Sequence, residues 1–313
     1  MDDHLTDLMT PWCVHAVATL QIPEHLEGGN DEIAALARAA GCDERALHNV
    51  LGHLVTKGVF EELAPGRFAL NDAARELFTN PFLRLDGIGG RFAHAWETIP
   101  DYVRTGRPAY AERFGRPFWD DLAAHPDVAA EFDDLIGPGG HPPPDARFEL
   151  TGGWDGIRTV VDVGGGTGSM LRALLRERPG LEATLVDLPG TVERAEGPFA
   201  TAGQSFFDPL PAGADLYLLR SVLNDWPDEE TEAILGNVAA AMHARSRLIV
   251  IGGVAADDAP RRLVIEMVLV GGRTDSLVDF EARAARVGLA VLSARPQPAG
   301  DFVVECARRD DGV

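Results

Sequence analysis

The sequence predicts an α/β fold, in which a mostly parallel β-sheet flanked by helices follows a smaller helical region. Strand and helix patterns alternate from Arg158 onward, which is typical of a parallel sheet. A glycine-rich turn joins a buried strand to an amphipathic helix within Val160–Gly168 and the residues after it. The first 80 residues instead contain short helical patterns and one hairpin pattern. At 313 residues the chain is long enough for two domains and a large core.

The glycine turn is the most informative stretch of the sequence. Gly164, Gly166 and Gly168 follow an apolar strand that includes Asp162, and the next residues have apolar side chains at helical spacing. Such a turn lets a ligand approach bare backbone at the N-terminus of a helix. A second strand ends at Asp187, about 20 residues further on, where a carboxylate can accept hydrogen bonds from both hydroxyls of a ribose. This pattern predicts a nucleoside-binding site.

The glycine spacing indicates which kind of nucleoside binds. A dinucleotide fingerprint reads G-x-G-x-x-G, whereas this chain reads G-x-G-x-G and has Ser169 in the place of the third glycine. The spacing therefore favours a nucleoside without a pyrophosphate, of which S-adenosylmethionine is the common example. The alternative is a tight turn that binds nothing, and the flanking strand, helix and downstream acid argue against it.

Charge and composition exclude several classes of function. The formal net charge of −21 argues against a nucleic-acid partner, because the protein and the phosphate backbone would both be negative and would repel each other. Three scattered cysteines predict neither a disulfide framework nor a metal site. No apolar run reaches the length of a membrane span, and we expect a cytoplasmic protein. Lys57 is the only lysine, in a segment that reads as structural, which argues against pyridoxal chemistry.

Residues 1–80 are predicted to form a winged-helix-like domain. Apolar residues recur at helical spacing from Trp12 to Leu26, and Asp43 should cap a later helix that ends at Gly58. Val59–Glu61 and Arg67–Leu70 read as a β-hairpin. DNA binding is one interpretation of this pattern, but the second helix carries no basic run. We therefore expect an interaction module, used for self-association.

Residues 81–150 are predicted to be a helical middle region with a stiff linker, and residues 151–313 the nucleoside-binding domain. Aromatic residues and histidines in the middle region are candidates to line a pocket for a flat ligand, and core packing is the alternative for each of them. The last two strands, Leu289–Leu292 and Phe302–Glu305, should pair as a hairpin. The pocket candidates are His94, Trp96, Phe118 and His141, together with Met267 from the later domain.

Four segments carry a resemblance to a known family: Val160–Gly168, Phe206–Leu210, Leu218–Trp226 and Gly271–Arg273. In them the chain resembles the bacterial secondary-metabolite branch of the S-adenosylmethionine-dependent O-methyltransferases, which also contains the plant caffeate-type enzymes. The resemblance covers nearly the whole chain. It implies a class I methyltransferase, Rossmann-like sheet of seven strands with the last antiparallel, an N-terminal winged-helix-like dimerisation domain, and a homodimer.

The resemblance also implies the cofactor and its contacts. The cofactor would be S-adenosylmethionine or its product S-adenosylhomocysteine, with the methionine part on the glycine turn, the ribose on Asp187 and the adenine beside Ser205 and Phe206. No metal is expected. The candidate cofactor-binding residues are Asp162, Gly164, Gly166, Gly168, Asp187, Leu188, Ser205, Phe206 and Arg220.

The chain departs from the family where the chemistry takes place. The place of the histidine that removes the acceptor proton in O-methylating relatives holds Asn224. The two glutamates that orient that histidine fall on Gly252 and Thr274, an adenine-side acid on Ser205, and a usual lysine on Arg220. The three members of the base constellation are thus absent, whereas the glycine turn and Asp187 are present.

The first hypothesis is base-independent methyl transfer by proximity to a small, flat secondary metabolite. Positioning is worth effective molarities of about 10⁵–10⁸ M, and a general base typically adds about 10²–10⁴-fold. Asn224 cannot take a proton but can orient an acceptor, and an acidic, already ionised acceptor would need no base. Asp225, His94 and His141 are the stand-in bases, although Asp225 is expected to cap the following helix.

The second hypothesis is a non-methylating reaction. The chain would bind the cofactor as a fixed element and catalyse a cyclisation, a decarboxylation or a hydroxylation, because three base-site losses exceed what proximity methylation requires. A non-catalytic regulatory protein is a third possibility.

Overall fold

The computed structural model describes residues 6–136, 145–297, 300 and 302–309. It divides into two compact units, Met1–Glu97 and Thr98–Val313. The division lies inside the helical middle region that the sequence predicts for residues 81–150. His141 and the rest of the expected linker at 137–144 lie outside the described residues.

The first unit contains six helices and a hairpin among its described residues. The helices are α1 (Thr10–Thr19), α2 (Ile22–Glu27), α3 (Ile33–Ala40), α4 (Glu44–Thr56), α5 (Asp72–Leu77) and α6 (Ile88–Ala95), and the strands are β1 (Phe60–Ala64) and β2 (Arg67–Leu70). The hairpin is antiparallel, with Phe60 opposite Leu70. Helix, helix and hairpin therefore follow one another as the winged-helix pattern predicts.

The sequence explains the helix ends in this unit. The Asp43 side chain accepts a hydrogen bond of 2.8 Å from the Ala46 N–H, so the predicted cap of α4 is confirmed. The stretch from Trp12 to Leu26 is two helices and not one, because Gln21 adopts a left-handed conformation with φ of 54°. Pro23 is then tolerated in the first turn of α2, where its missing N–H removes no hydrogen bond.

The second unit begins with four helices: α7 (Ile99–Thr105), α8 (Tyr110–Phe114), α9 (Phe118–Ala124) and α10 (Pro126–Ile136). Strands and helices then alternate. They are β3 (Thr159–Val163), α11 (Ser169–Glu177), β4 (Glu182–Asp187), α12 (Pro189–Val192), β5 (Ala200–Gly203), β6 (Leu216–Arg220), α13 (Asp228–Ala241), β7 (Arg247–Ile251), β8 (Val254–Ala255), α14 (Ile265–Leu269), β9 (Asp275–Ser276), α15 (Leu277–Arg286), β10 (Leu289–Pro296) and β11 (Phe302–Arg308).

Seven strands form one sheet in the order β5-β4-β3-β6-β7-β11-β10. Pairing is parallel from β5 to β7, and β11 runs antiparallel to both β7 and β10. The predicted seven-stranded sheet with an antiparallel last strand is confirmed. Chain order reverses between β3 and β6, so the carboxyl ends of these strands open the crevice where ligands of such sheets bind.

Both faces of the sheet are buried, which explains its apolar strands. Val161 and Val163 of β3 pack into one core layer, and Val160 packs into the layer on the opposite face. The two phenylalanines in Ser205–Phe207 are residue types that favour a strand, and from them alone we predict a short strand there. The structure corrects this prediction: β5 is Ala200–Gly203, and Phe206 and Phe207 lie after it and pack on Trp226, so tertiary contacts override the local propensity.

Candidate functional site

The glycine turn fixes the start of the crevice at the end of β3. Gly164, Gly166 and Gly168 have φ of 70°, 60° and 85°, a region that side chains with a Cβ rarely adopt. The Gly164 N–H donates to the Val186 carbonyl at 2.8 Å, and the Gly166 N–H donates to Asp187 Oδ2 at 2.8 Å. The turn after β3 is therefore attached to the end of β4.

Space around the glycines shows where a ligand fits. A Cβ on Gly165 would lie 2.5 Å from Asp162 Oδ2, and a Cβ on Gly168 would lie 2.4 Å from the Phe199 ring. A Cβ on Gly166 would meet nothing within 4 Å. The turn is thus packed by the protein on one side and open at Gly166, where a ligand can lie directly against the backbone.

Asp187 holds the second half of this cradle. Its Oδ1 accepts a hydrogen bond of 2.8 Å from the Leu188 N–H, in addition to the bond that Oδ2 accepts from Gly166. Burial raises the pKa of Asp187, although the residue keeps some accessible surface, so its carboxyl group lies in a recess. The Leu188 side chain is exposed, which leaves its backbone as the part that shapes the site.

Asp162 is a buried carboxyl group whose two oxygens have no hydrogen-bond partner among the described residues. Burial and the charge of Asp187 raise its pKa to about 7, and Arg220 acts in the opposite direction. An orphaned carboxyl group beneath the turn suits the ammonium group of an amino acid. The residues present therefore fit S-adenosylmethionine: Asp162 for its ammonium, the turn for its methionine backbone, and Asp187 for its ribose.

The raised pKa of Asp162 predicts a pH dependence of stability. Folding keeps the Asp162 proton bound between the ordinary pKa of 3.8 and about 7, so the free energy of unfolding should fall as pH rises through this interval. Asp162→Asn removes the titration. We expect urea unfolding of the cofactor-free protein to lose about 2 kcal/mol more in the wild type than in this variant between pH 5 and pH 8. Equal losses in both proteins would contradict the assignment.

The adenine-side candidates lie beside the turn. The Phe206 ring lies 3.4 Å from the position of a Cβ on Gly164, and the Phe206 carbonyl accepts a 2.9 Å hydrogen bond from Asn237. Ser205 Oγ accepts a hydrogen bond from the Phe207 N–H at 3.2 Å. Arg220 ends β6 and is half-buried. The Phe206 ring therefore borders the glycine turn.

Asn224 lies in a short 3₁₀ turn, Leu223–Asp225, that follows β6. Asn224 Nδ2 donates a 2.9 Å hydrogen bond to Asp225 Oδ1, while Asn224 Oδ1 is buried without a partner among the described residues. Two glycines clamp the backbone of this turn, since a Cβ on Gly253 would lie 3.0 Å from Asn224 N and one on Gly272 only 1.9 Å from Asn224 O. The backbone of Asn224 is therefore packed tightly between Gly253 and Gly272.

Asp225 does not cap the following helix, so that expectation is wrong. The N-cap of α13 is Pro227, which has no side-chain cap, and the Asp225 carboxylate is engaged by the neighbouring asparagine instead. Burial and the nearby charge of Glu266 raise the pKa of Asp225 well above its ordinary value. A raised pKa means that Asp225 holds a proton more tightly than an exposed carboxyl group does.

The other predicted pocket residues are distributed over both units. Met267 is half-buried in α14, which packs against the Leu223–Asp225 turn. Phe118 is buried between Tyr110, Trp119 and Phe132, which is the core-packing alternative. His94 and Trp96 belong to the first unit.

In that unit His94 Nδ1 lies 2.9 Å from Glu97 Oε1, and Trp96 is exposed. The places of the two base-orienting glutamates, Gly252 and Thr274, follow β7 and precede β9. Neither place carries a carboxylate.

Two features of the site were missed in the sequence. Trp119 stacks on Trp226 with ring centroids 5.8 Å apart, and Glu266 lies near enough to Asp225 to raise its pKa. Neither had a local signal, because the partners are separated by 107 and 41 positions in the chain (226 − 119 and 266 − 225).

Comparison with known proteins agrees with this geometry. A family model described as an O-methyltransferase domain matches residues 96–288. The chain belongs to the S-adenosylmethionine-dependent O-methyltransferase family. Its cofactor is accordingly S-adenosylmethionine, and methyl transfer is the activity of the family.

Two of the curated relatives that the chain resembles are proteins of Streptomyces species. A 2,7-dihydroxy-5-methyl-1-naphthoate 7-O-methyltransferase of Streptomyces carzinostaticus is 35% identical, with 93% of both chains covered. Aclacinomycin 10-hydroxylase RdmB of Streptomyces purpurascens is 37% identical, with 93% of this chain and 84% of the relative covered.

Among solved structures, TnmH matches with a TM-score of 0.88 and 34% identity, covering 98% of this chain and 97% of that one. The O-methyltransferase NcsB1, in complex with S-adenosylmethionine and 2-hydroxy-5-methyl naphthoic acid, matches with a TM-score of 0.85 and 33% identity. That match covers 97% of this chain and 98% of the other.

No helix among the described residues is long and apolar enough to cross a bilayer. No group of three or more histidine, cysteine, aspartate or glutamate side chains among these residues is arranged to hold a metal ion.

Proposed function

We propose that this chain transfers the methyl group of S-adenosylmethionine to an oxygen of a small, flat aromatic or polyketide metabolite. The observation that carries the proposal is the open cradle at Gly166 and Asp187, which lies at the end of the sheet where β6 leads into the buried Asn224–Asp225 pair. Relatives named for methylating a naphthoate and mitomycin support the class of acceptor.

The chain contributes mainly position. When bound, the cofactor supplies an electrophilic methyl group on a sulfonium. Asp187 holds the ribose and Asp162 the ammonium, so the cofactor has one orientation, and the clamped Asn224 fixes the angle of the acceptor oxygen. Positioning of this kind is worth effective molarities of about 10⁵–10⁸ M, more than a general base supplies. A histidine is therefore dispensable, and Asp225, in its ionised form, is the carboxylate beside Asn224 that takes up the proton the acceptor loses.

A second candidate function is a non-methylating reaction on the same kind of metabolite. The relative named as an aclacinomycin 10-hydroxylase is 37% identical, similar to the naphthoate methyltransferase at 35%. The absence of carboxylates at Gly252 and Thr274 also fits a chain that no longer needs a histidine base. Mass spectrometry separates the two functions, because only the first adds one methyl group to the acceptor.

Methyl transfer is tested directly with cofactor labelled in its methyl group. We expect label in at least one member of a panel that includes 1,4-dihydroxy-2-naphthoic acid, neutral naphthols and hydroxylated ketones. Asp225→Asn should slow transfer by no more than about 10²–10⁴-fold while S-adenosylhomocysteine binding is kept, because that is the factor a general base typically contributes. Absence of label from every acceptor, with normal cofactor binding and an acceptor changed in another way, would favour the second function.

The assembly and location belong to the same proposal. We propose a cytoplasmic homodimer formed through the winged-helix-like first unit, and exposed apolar residues near its N-terminus support self-association. These residues are Leu8, Met9 and Trp12, with 82%, 58% and 42% of their surface exposed.

A further inference from the structure

Buried polar atoms without partners mark where a ligand is expected to complete the protein's hydrogen bonds. Six described residues have such atoms: Trp119, Trp154, Asp162, Asn224, Arg247 and Glu305. Arg247 and Glu305 face each other at 3.4 Å, and Asp162 belongs to the cofactor cradle. Trp154 packs against Phe148 in the core layer that contains Val160. The remaining two atoms, Asn224 Oδ1 and Trp119 Nε1, belong to the residues around the turn that follows β6, since Trp119 stacks on Trp226.

Asn224 presents a hydrogen-bond acceptor to the ligand. Its Nδ2 is committed to the Asp225 carboxylate, and this bond fixes which end of the amide is free. The free end is the carbonyl oxygen, which requires a hydrogen-bond donor. The substrate that accepts the methyl group must therefore offer a hydroxyl hydrogen to Asn224 Oδ1.

Trp119 presents a donor. Its ring stacks on Trp226 at 5.8 Å and 19°, and Trp226 is only two residues beyond Asn224. The rings of Phe206 and Phe207 pack nearly perpendicular to Trp226, with ring centroids 5.6 and 5.0 Å from it. This aromatic group therefore extends to the glycine turn, which Phe206 borders. An indole N–H is a donor only, and this one is buried without an acceptor among the described residues. A ligand carbonyl is the group that would satisfy it.

We propose that Asn224 and Trp119 together recognise a flat acceptor that carries both a hydroxyl group, donated to Asn224 Oδ1, and a ring ketone, which accepts from Trp119 Nε1. This rests on the proposed function and names its substrate class as a hydroxylated aromatic ketone or quinone. The hydroxyl arrives protonated, because the unpartnered amide oxygen of Asn224 accepts a hydrogen bond and would repel a phenolate oxygen. This differs from the already ionised acceptor that the sequence suggested.

A matched ligand pair tests the proposal by binding alone. The probes are 5-hydroxy-1-tetralone and 5-hydroxytetralin, which differ only by the ketone and are both uncharged. We expect the complex with S-adenosylhomocysteine to bind the ketone about tenfold more tightly, the usual effect of one satisfied buried hydrogen bond. Trp119→Phe keeps a ring but removes the N–H, so the ratio should fall to near one. Asn224→Leu should weaken both ligands, because both carry the hydroxyl.

Trp154→Phe is the matched control, since it removes another orphaned indole N–H that packs elsewhere and should leave the ratio unchanged. Calorimetry with S-adenosylhomocysteine first shows that each variant is folded. Equal binding of the two probes by the wild type, a ratio unchanged in Trp119→Phe, or no binding of either probe would each overturn the proposal. Failure of the proposed function is seen separately, because it would appear as absent label transfer while this binding difference persists.

Discussion

Asp187→Ala should weaken the binding of S-adenosylhomocysteine by at least about 100-fold. Each ribose hydroxyl that donates to the Asp187 carboxylate makes a hydrogen bond to a charged group, which is worth about 1.5–3 kcal/mol. The alanine variant loses both bonds. The variant also frees the Gly166 and Leu188 N–H groups that now donate to the two carboxylate oxygens at 2.8 Å. The turn would therefore lose its connection to β4 as well as its ribose ligand.

Isothermal titration calorimetry measures the loss, and two further variants identify its cause. Asp187→Asn keeps one acceptor oxygen and should bind with intermediate affinity. Asp155→Ala removes an exposed carboxylate elsewhere in the same unit and should bind as the wild type does. If Asp187→Ala binds within about threefold of the wild type, the ribose is not held here and the cradle has been misread.

The cofactor half of the site could be read from the sequence because its signals are local. Gly164, Gly166 and Gly168 require positive φ, and a strand before and a helix after such a turn leave few alternatives. Asp187 was found by its position in the βαβ unit alone, and the structure places it against Gly166. The parallel sheet followed from the alternation of strands and helices, and its seven strands with an antiparallel last strand from the family resemblance.

The acceptor half could not be read in the same way because its contacts are long-range. Asn224 was recognised as the place of a missing base, but the free carbonyl oxygen depends on how the amide pairs with Asp225. The helix-capping role expected of Asp225 failed because Pro227, two residues later, occupies the N-cap. Trp119 lies in the aromatic middle region, but no local pattern indicated its stacking on Trp226, which belongs to another element of the unit. Local patterns predict backbone binding sites, whereas side-chain pockets depend on tertiary packing.

Gly272→Ala should slow methyl transfer by at least about 100-fold while leaving cofactor binding nearly intact. A Cβ at this position would lie 1.9 Å from the Asn224 carbonyl oxygen and 2.7 Å from the backbone carbons of Asn224 and Asp225. Backbone atoms cannot yield as the end of a flexible side chain can, so the Leu223–Asp225 turn must move. A displacement of about 1 Å at a positioning residue costs about 10²-fold in rate, and here both the orienting amide and the carboxylate beside it shift together.

Gly236 of α13 supplies the comparison, because the nearest atom to the new Cβ of Gly236→Ala is a Val287 methyl group at 3.9 Å, which is an ordinary contact. This variant should transfer label at the wild-type rate and, since alanine is the better helix former, unfold at a slightly higher urea concentration. The Gly272→Ala protein should still bind S-adenosylhomocysteine, because the glycine turn and Asp187 lie on other loops. Normal transfer by Gly272→Ala would mean that Asn224 and Asp225 do not set the acceptor's position. Loss of cofactor binding together with transfer would mean that the clamp supports the whole crevice, and the division of the site into a cofactor half and an acceptor half would then be wrong.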